Sequence, residues 1–75
     1  MLEQLIEILE GVQPDADYET CTTLIDDGIL SSFDVISIVG ELEDEYDIQI
    51  KPVDIIPANF NSAKAIYEMV QRLRK

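Results

Sequence analysis

The sequence predicts an all-α protein: a small bundle of three main helices plus one short helix, with a long loop after the first. Three observations lead there. Apolar residues recur at helical spacing in three separate segments, near residues 2–9, 32–46 and 63–73. Alternation of the strand type is confined to Ile48-Gln49-Ile50, and two apolar residues do not make a sheet. At 75 residues the chain can build one core, so residues 1–75 are expected to form a single domain.

The first helix is expected from about Leu2 to Leu9. Leu2, Leu5, Ile6 and Leu9 follow the i, i+3, i+4, i+7 pattern of one buried face. Gly11 and Pro14 are expected to end it. A connection follows from Val12 to Leu30. Pro14-Asp15-Ala16-Asp17 and Asp26-Asp27-Gly28 supply its turn chemistry. A bare loop of this length is unusual, so Leu24, Ile25, Ile29 and Leu30 are expected to pin it to the core.

The second helix is expected from about Ser32 to Tyr46, with Val35, Ile38, Val39, Leu42 and Tyr46 as its buried stripe. Ser31 stands three residues before Asp34, a capping-box pattern ahead of an apolar run. Ser31 is then the N-cap and Ser32 the first helical residue. A side chain there faces solvent, beside unpaired N–H groups and a dipole end that favour an anion. Serines ahead of a helix are also ordinary caps that need no chemistry. Ser32, Phe33, Ile36, Gly40, Glu43 and Asp44 share a neighbouring face that mixes apolar and acidic groups. An exposed Phe33 and Ile36 there would imply a docking surface; Ile36 fits a widened core stripe equally well.

After Lys51-Pro52, Val53-Asp54-Ile55-Ile56 predicts a short helical turn that stops near Pro57. Asn61 or Ser62 then caps a last helix running to about Leu73, with Ala63, Ile66, Met69, Val70 and Leu73 on its apolar face.

Charge and composition remove several function classes. The formal net charge is −11, and residues 1–50 contain no Lys or Arg. Such a surface repels nucleic-acid backbones. It attracts proteins with basic docking patches and speeds their encounter. No apolar run approaches membrane-spanning length, and Met1 to Leu9 lack the basic start of a signal peptide. The single Cys21 excludes an internal disulfide and suits a reducing cytoplasm. No His is present, and neither Cys21 nor the serines have a recognisable base partner, so an independently acting enzyme is not expected. A calcium site is one alternative, because Asp15, Asp17 and Glu19 alternate as an EF-hand loop begins. The sixth and twelfth positions of that frame hold Thr20 and Asp26 instead of the required Gly and Glu. A small acidic adaptor without a cofactor is the other alternative. The expectation is a metal-free monomer.

The run Asp27-Gly28-Ile29-Leu30-Ser31-Ser32-Phe33-Asp34, followed by Leu42-Glu43-Asp44-Glu45-Tyr46-Asp47-Ile48-Gln49-Ile50, resembles the acyl and peptidyl carrier proteins. Asn59-Phe60-Asn61-Ser62 is similar to the start of that family's last helix, and the resemblance covers nearly the whole chain. It implies an acyl-carrier-like bundle and a 4′-phosphopantetheine arm joined covalently to Ser32. It implies a phosphopantetheinyl transferase and, acting in trans, an adenylate-forming ligase or an acyl or aminoacyl transferase as partners. Docking of these partners is expected on Phe33, Asp34, Ile36, Gly40, Glu43 and Asp44. Ser31 stands where the family usually has aspartate, and Phe33 where it has leucine or methionine. Serine caps a helix about as well as aspartate, but the change removes a charge and places a second hydroxyl beside Ser32. Fatty acyl, polyketide and aminoacyl cargoes all use the same thioester. The compact form, Phe33 and the Asn59-Phe60-Asn61-Ser62 entry resemble the stand-alone aminoacyl or D-alanyl carriers more than the housekeeping fatty-acid carriers.

Overall fold

The computed structural model describes residues 2–74. Met1 and Lys75, the ends of the expected 1–75 domain, lie outside them. The chain forms α1 (Leu2–Val12), α2 (Ser32–Tyr46), a 3-10 turn (Pro52–Asp54), α3 (Pro57–Phe60) and α4 (Ala63–Leu73). Among the described residues there is no strand. The all-α bundle with three main helices, one short helix and a long first loop is the fold that the sequence predicts.

The apolar stripes meet in one core. Leu5 and Leu9 of α1, Ile38 and Leu42 of α2, Phe60 of α3, and Ile66, Met69 and Val70 of α4 are buried together. α1 packs against both α2 and α4, and α3 packs against α4. Val35, Val39 and Tyr46 flank the α2 stripe as half-buried neighbours. Burying side chains of this size contributes about 1.5–3 kcal/mol each, which is how so small a domain offsets its chain entropy.

Two boundaries differ from expectation. α1 continues through Gly11 to Val12 instead of ending there. A glycine inside a helix costs about 1 kcal/mol but breaks no hydrogen bond. The Gln13 N–H still reaches the Leu9 carbonyl at 2.8 Å. The stop comes from Pro14, which disfavours helical backbone at Gln13. The second difference is Pro57, which begins α3 rather than ending a turn. Proline suits the first helical position because its missing N–H would have had no partner there. The preceding turn is the shorter Pro52–Asp54 segment.

The long connection is held down as expected, by buried Leu24 and Leu30 with half-buried Ile25 and Ile29. Tyr18 is a further anchor. Its ring is buried, and its hydroxyl lies 3.0 Å from the Leu9 carbonyl and 2.6 Å from that of Gln13, at the C-terminus of α1. Burial pushes its phenol up to about 12, with the Asp34 and Glu10 charges adding to the shift. In the acidic stretch, Asp17 Oδ1 accepts the Glu19 and Thr20 amides and Oδ2 accepts the Thr20 hydroxyl. That carboxylate serves its own loop.

Candidate functional site

The mouth of α2 is built by Ser31. Its backbone is extended, with φ −82° and ψ 173°, while its carbonyl accepts the first helical bond from Val35 at 3.0 Å. Ser31 Oγ accepts the Asp34 N–H at 3.2 Å, and Asp34 Oδ2 accepts the Ser31 N–H at 3.0 Å. This is the expected capping box, with Ser32 as the first helical residue. Ser32 is exposed. The N–H groups of Ser32 and Phe33 lie in the first turn, where no earlier helical carbonyl can reach them. The site therefore offers a hydroxyl in solvent beside a weakly positive helix end.

A groove of about 280 Å³ opens beside Ser32. Ile25, Leu30, Val35 and Ile36 line it from the loop and α2, and Ile55, Ile56, Pro57 and Phe60 from the segment opposite. Ile55 and Ile56 are exposed, and Val53 just before them is 76% exposed. From sequence alone, residues 53–56 are expected only as a short helical turn. The available signal was composition: three large aliphatic residues between two prolines exceed what one short turn can bury.

The residues expected to share the serine's face divide into two groups. Phe33 is 83% exposed and Ile36 67% exposed, so Ile36 does not widen the core stripe. Gly40 and Asp44 are also exposed, at about 12 and 18 Å from Ser32 along the helix axis. Asp34 and Glu43 are half-buried and engaged. Asp34 completes the cap, and Glu43 Oε2 accepts the Ile50 N–H at 2.9 Å, holding the chain after α2. That chain turns at Asp47, whose φ of 52° is left-handed.

Cys21 is half-buried, with Sγ 3.7 Å from Thr23 Oγ1. Among the described residues no three His, Cys, Asp or Glu side chains are grouped to hold a metal ion. No helix among them is long and apolar enough to cross a membrane.

The chain is 32% identical to the D-alanyl carrier protein of Lactococcus lactis subsp. lactis strain IL1403, across 95% of this chain and 92% of that one. The chain belongs to this carrier-protein family. It is 30% identical, over the same shares of both chains, to the D-alanyl carrier protein of Lactococcus lactis subsp. cremoris strain MG1363. No family model matches, and no solved structure matches. As a carrier protein the chain needs a point of attachment that partners can reach. Its most prominent candidate is the capped, exposed mouth of α2.

Proposed function

We propose that this carrier protein holds D-alanine as a thioester on a 4′-phosphopantetheine arm joined to Ser32. The observation that carries the reading is the exposed Ser32 at the first position of a capped helix. The D-alanyl carriers to which the chain is similar supply the cargo.

The residues present fit such an arm. Ser32 Oγ would carry the phosphodiester, and the amides of the first turn favour its negative charge. Ile36, Ile55 and Ile56 give the base of the arm an apolar surface on which to rest. When attached, the arm supplies the thiol to which the cargo is bound. Ser31 Oγ is turned to the Asp34 amide as the cap, which leaves Ser32 as the hydroxyl directed to solvent. The chain itself is the non-catalytic partner. A phosphopantetheinyl transferase loads the arm, and an adenylate-forming ligase in the cytoplasm loads the cargo onto the monomer.

Phe33, Ile36, Gly40 and Asp44 form the docking face in this account. An enzyme that grips them has Ser32 at its own entrance. Asp34 and Glu43 keep their place on that face chiefly by shaping its two ends. The apolar pair holds the partner, and exposed acids such as Asp44 steer it.

The test is loading. The arm-bearing protein, incubated with a D-alanine ligase and ATP, should gain one alanyl group that hydroxylamine removes, as expected of a thioester. Loading with fatty acids instead, or loading of Ser32→Ala protein, would contradict the reading.

A further inference from the structure

Asn61, between α3 and α4, grips the loop that leads into Ser32. Its backbone carbonyl accepts the Leu24 N–H at 2.9 Å. Its Oδ1 accepts the amides of Ile25 at 3.0 Å and Asp26 at 3.1 Å. Its Nδ2 donates to Asp26 Oδ2 at 3.2 Å. One residue thus binds three consecutive positions that lie at least 35 places earlier in the chain.

The gripped segment closes on itself before it reaches the serine. The Gly28 N–H donates to the Ile25 carbonyl at 3.0 Å, and the Leu30 N–H to the Leu24 carbonyl at 2.9 Å. Gly28 has φ +70°, a left-handed value suited to glycine. Leu30 then leads directly into Ser31 and Ser32. Ile25 and Leu30 line one wall of the groove at Ser32, and Phe60, the residue before Asn61, lines the other.

The capping box orients Ser32 relative to α2 alone, and it would form wherever α2 was placed. Asn61 instead ties the loop at the mouth of α2 to the segment that carries α3. We propose that Asn61 is a positioning residue for the Ser32 site. It fixes the loop of residues 24–30 against α3, so that a transferase meets Ser32 and both groove walls in one arrangement. This rests on the reading of Ser32 as the residue that bears the arm.

The hydrogen-bond pattern allows an exchange test. Asn61→Asp keeps the acceptor for the Ile25 and Asp26 amides but sets a second carboxylate against Asp26. Adding Asp26→Asn returns a donor from the other side, so the double variant can remake every side-chain bond of the clasp. Arm transfer from coenzyme A would be followed by mass at a temperature where circular dichroism reports folded protein. Asn61→Asp should lower kcat/KM for the carrier about tenfold, chiefly by raising KM, because a loosened loop must be ordered when the transferase docks. The double variant should return to within about twofold of wild type, since the paired changes are coupled. Tyr18→Phe, which loosens a different part of the loop, should leave the rate unchanged.

A second readout needs no arm. In the unmodified protein, the amide resonances of residues 31–36 and of Ile55 and Ile56, none of them beside Asn61 in the chain, should shift in Asn61→Asp and return in the double variant. If Asn61→Asp does not fold, Asn61→Ala takes its place in both assays, with the same slowing and shifts expected. A folded Asn61 variant with wild-type rate and unmoved resonances would overturn the proposal. So would slowing that the exchange fails to rescue, or equal slowing by Tyr18→Phe. Wild-type protein that takes no arm would count against the Ser32 reading, while the resonances still decide the role of Asn61.

Discussion

Ser31 and Asp34 cap each other across the first turn of α2, by side chain to backbone in both directions, at 3.2 and 3.0 Å. On the proposed reading of Ser32, the pair explains how the site does without the aspartate that the carrier pattern usually has at position 31. A hydroxyl accepts from the third helical amide as a carboxylate would. Ser31→Ala should therefore cost about 1 kcal/mol. Ser31→Asp should keep most of that stability. Thermal melting should show a loss of about 4–8 °C for the alanine variant, as is usual per kcal/mol in a domain of this size.

Gly40 gives a prediction with two opposite signs. It lies exposed inside α2, and a Cβ there would meet nothing within 4 Å. Gly40→Ala should stabilise the helix by about 1 kcal/mol in a urea titration. If a partner approaches closely at this point, the same methyl group should slow loading by the ligase. A more stable protein that loads at the wild-type rate would remove Gly40 from the docking face.

Steering and holding should separate under salt. Asp44 is exposed, and among the described residues no side-chain hydrogen bond or ion pair ties it down. Asp44→Lys should slow loading at low ionic strength and approach wild type as salt is added, because screening shortens to about 10 Å near 0.1 M. Ile36→Ala should weaken loading by a similar factor at every salt concentration. At 67% exposure, Ile36 can be truncated without opening the core. Glu43 is a poorer probe, because its substitution also releases the Ile50 amide.

Tyr18 should give the fold an alkaline limit. Its phenol is pushed up to about 12, chiefly by burial, from the ordinary tyrosine value of 10.0. The raised value means that the folded state retains a proton the unfolded chain has already released. The resulting stability is complete below pH 10 and is lost as pH rises from about 10 to 12. Burial also raises the Tyr46 phenol, which adds to the same slope. Tyr18→Phe should lower stability at neutral pH by about 1 kcal/mol for the lost hydrogen bond. It should also flatten, without abolishing, the decline above pH 10 in denaturant titrations.

What could be read from the sequence was local. The three long helices and the Ser31 cap followed from periodicity and capping chemistry, both of which operate within a turn or two. Proline was ambiguous for the same reason. Pro57 can stop one helix or start the next, and only the exposed, unhelical Ile55 and Ile56 decide it. Periodicity gives the direction of Ile36 but not the width of the buried stripe, which depends on how α2 packs against α1. The anchoring of Tyr18 and the clasp of Asn61 on residues 24–26 had no local signature. Each joins groups whose distance along the chain conceals their distance in space.

The measurement that tests the central claim most directly is the mass of the protein after treatment with coenzyme A and a phosphopantetheinyl transferase. The account predicts one phosphopantetheinyl group, located by fragmentation on Ser32, with none added to Ser32→Ala. A wild-type protein that stays unmodified, or a group found on Ser31, would contradict it.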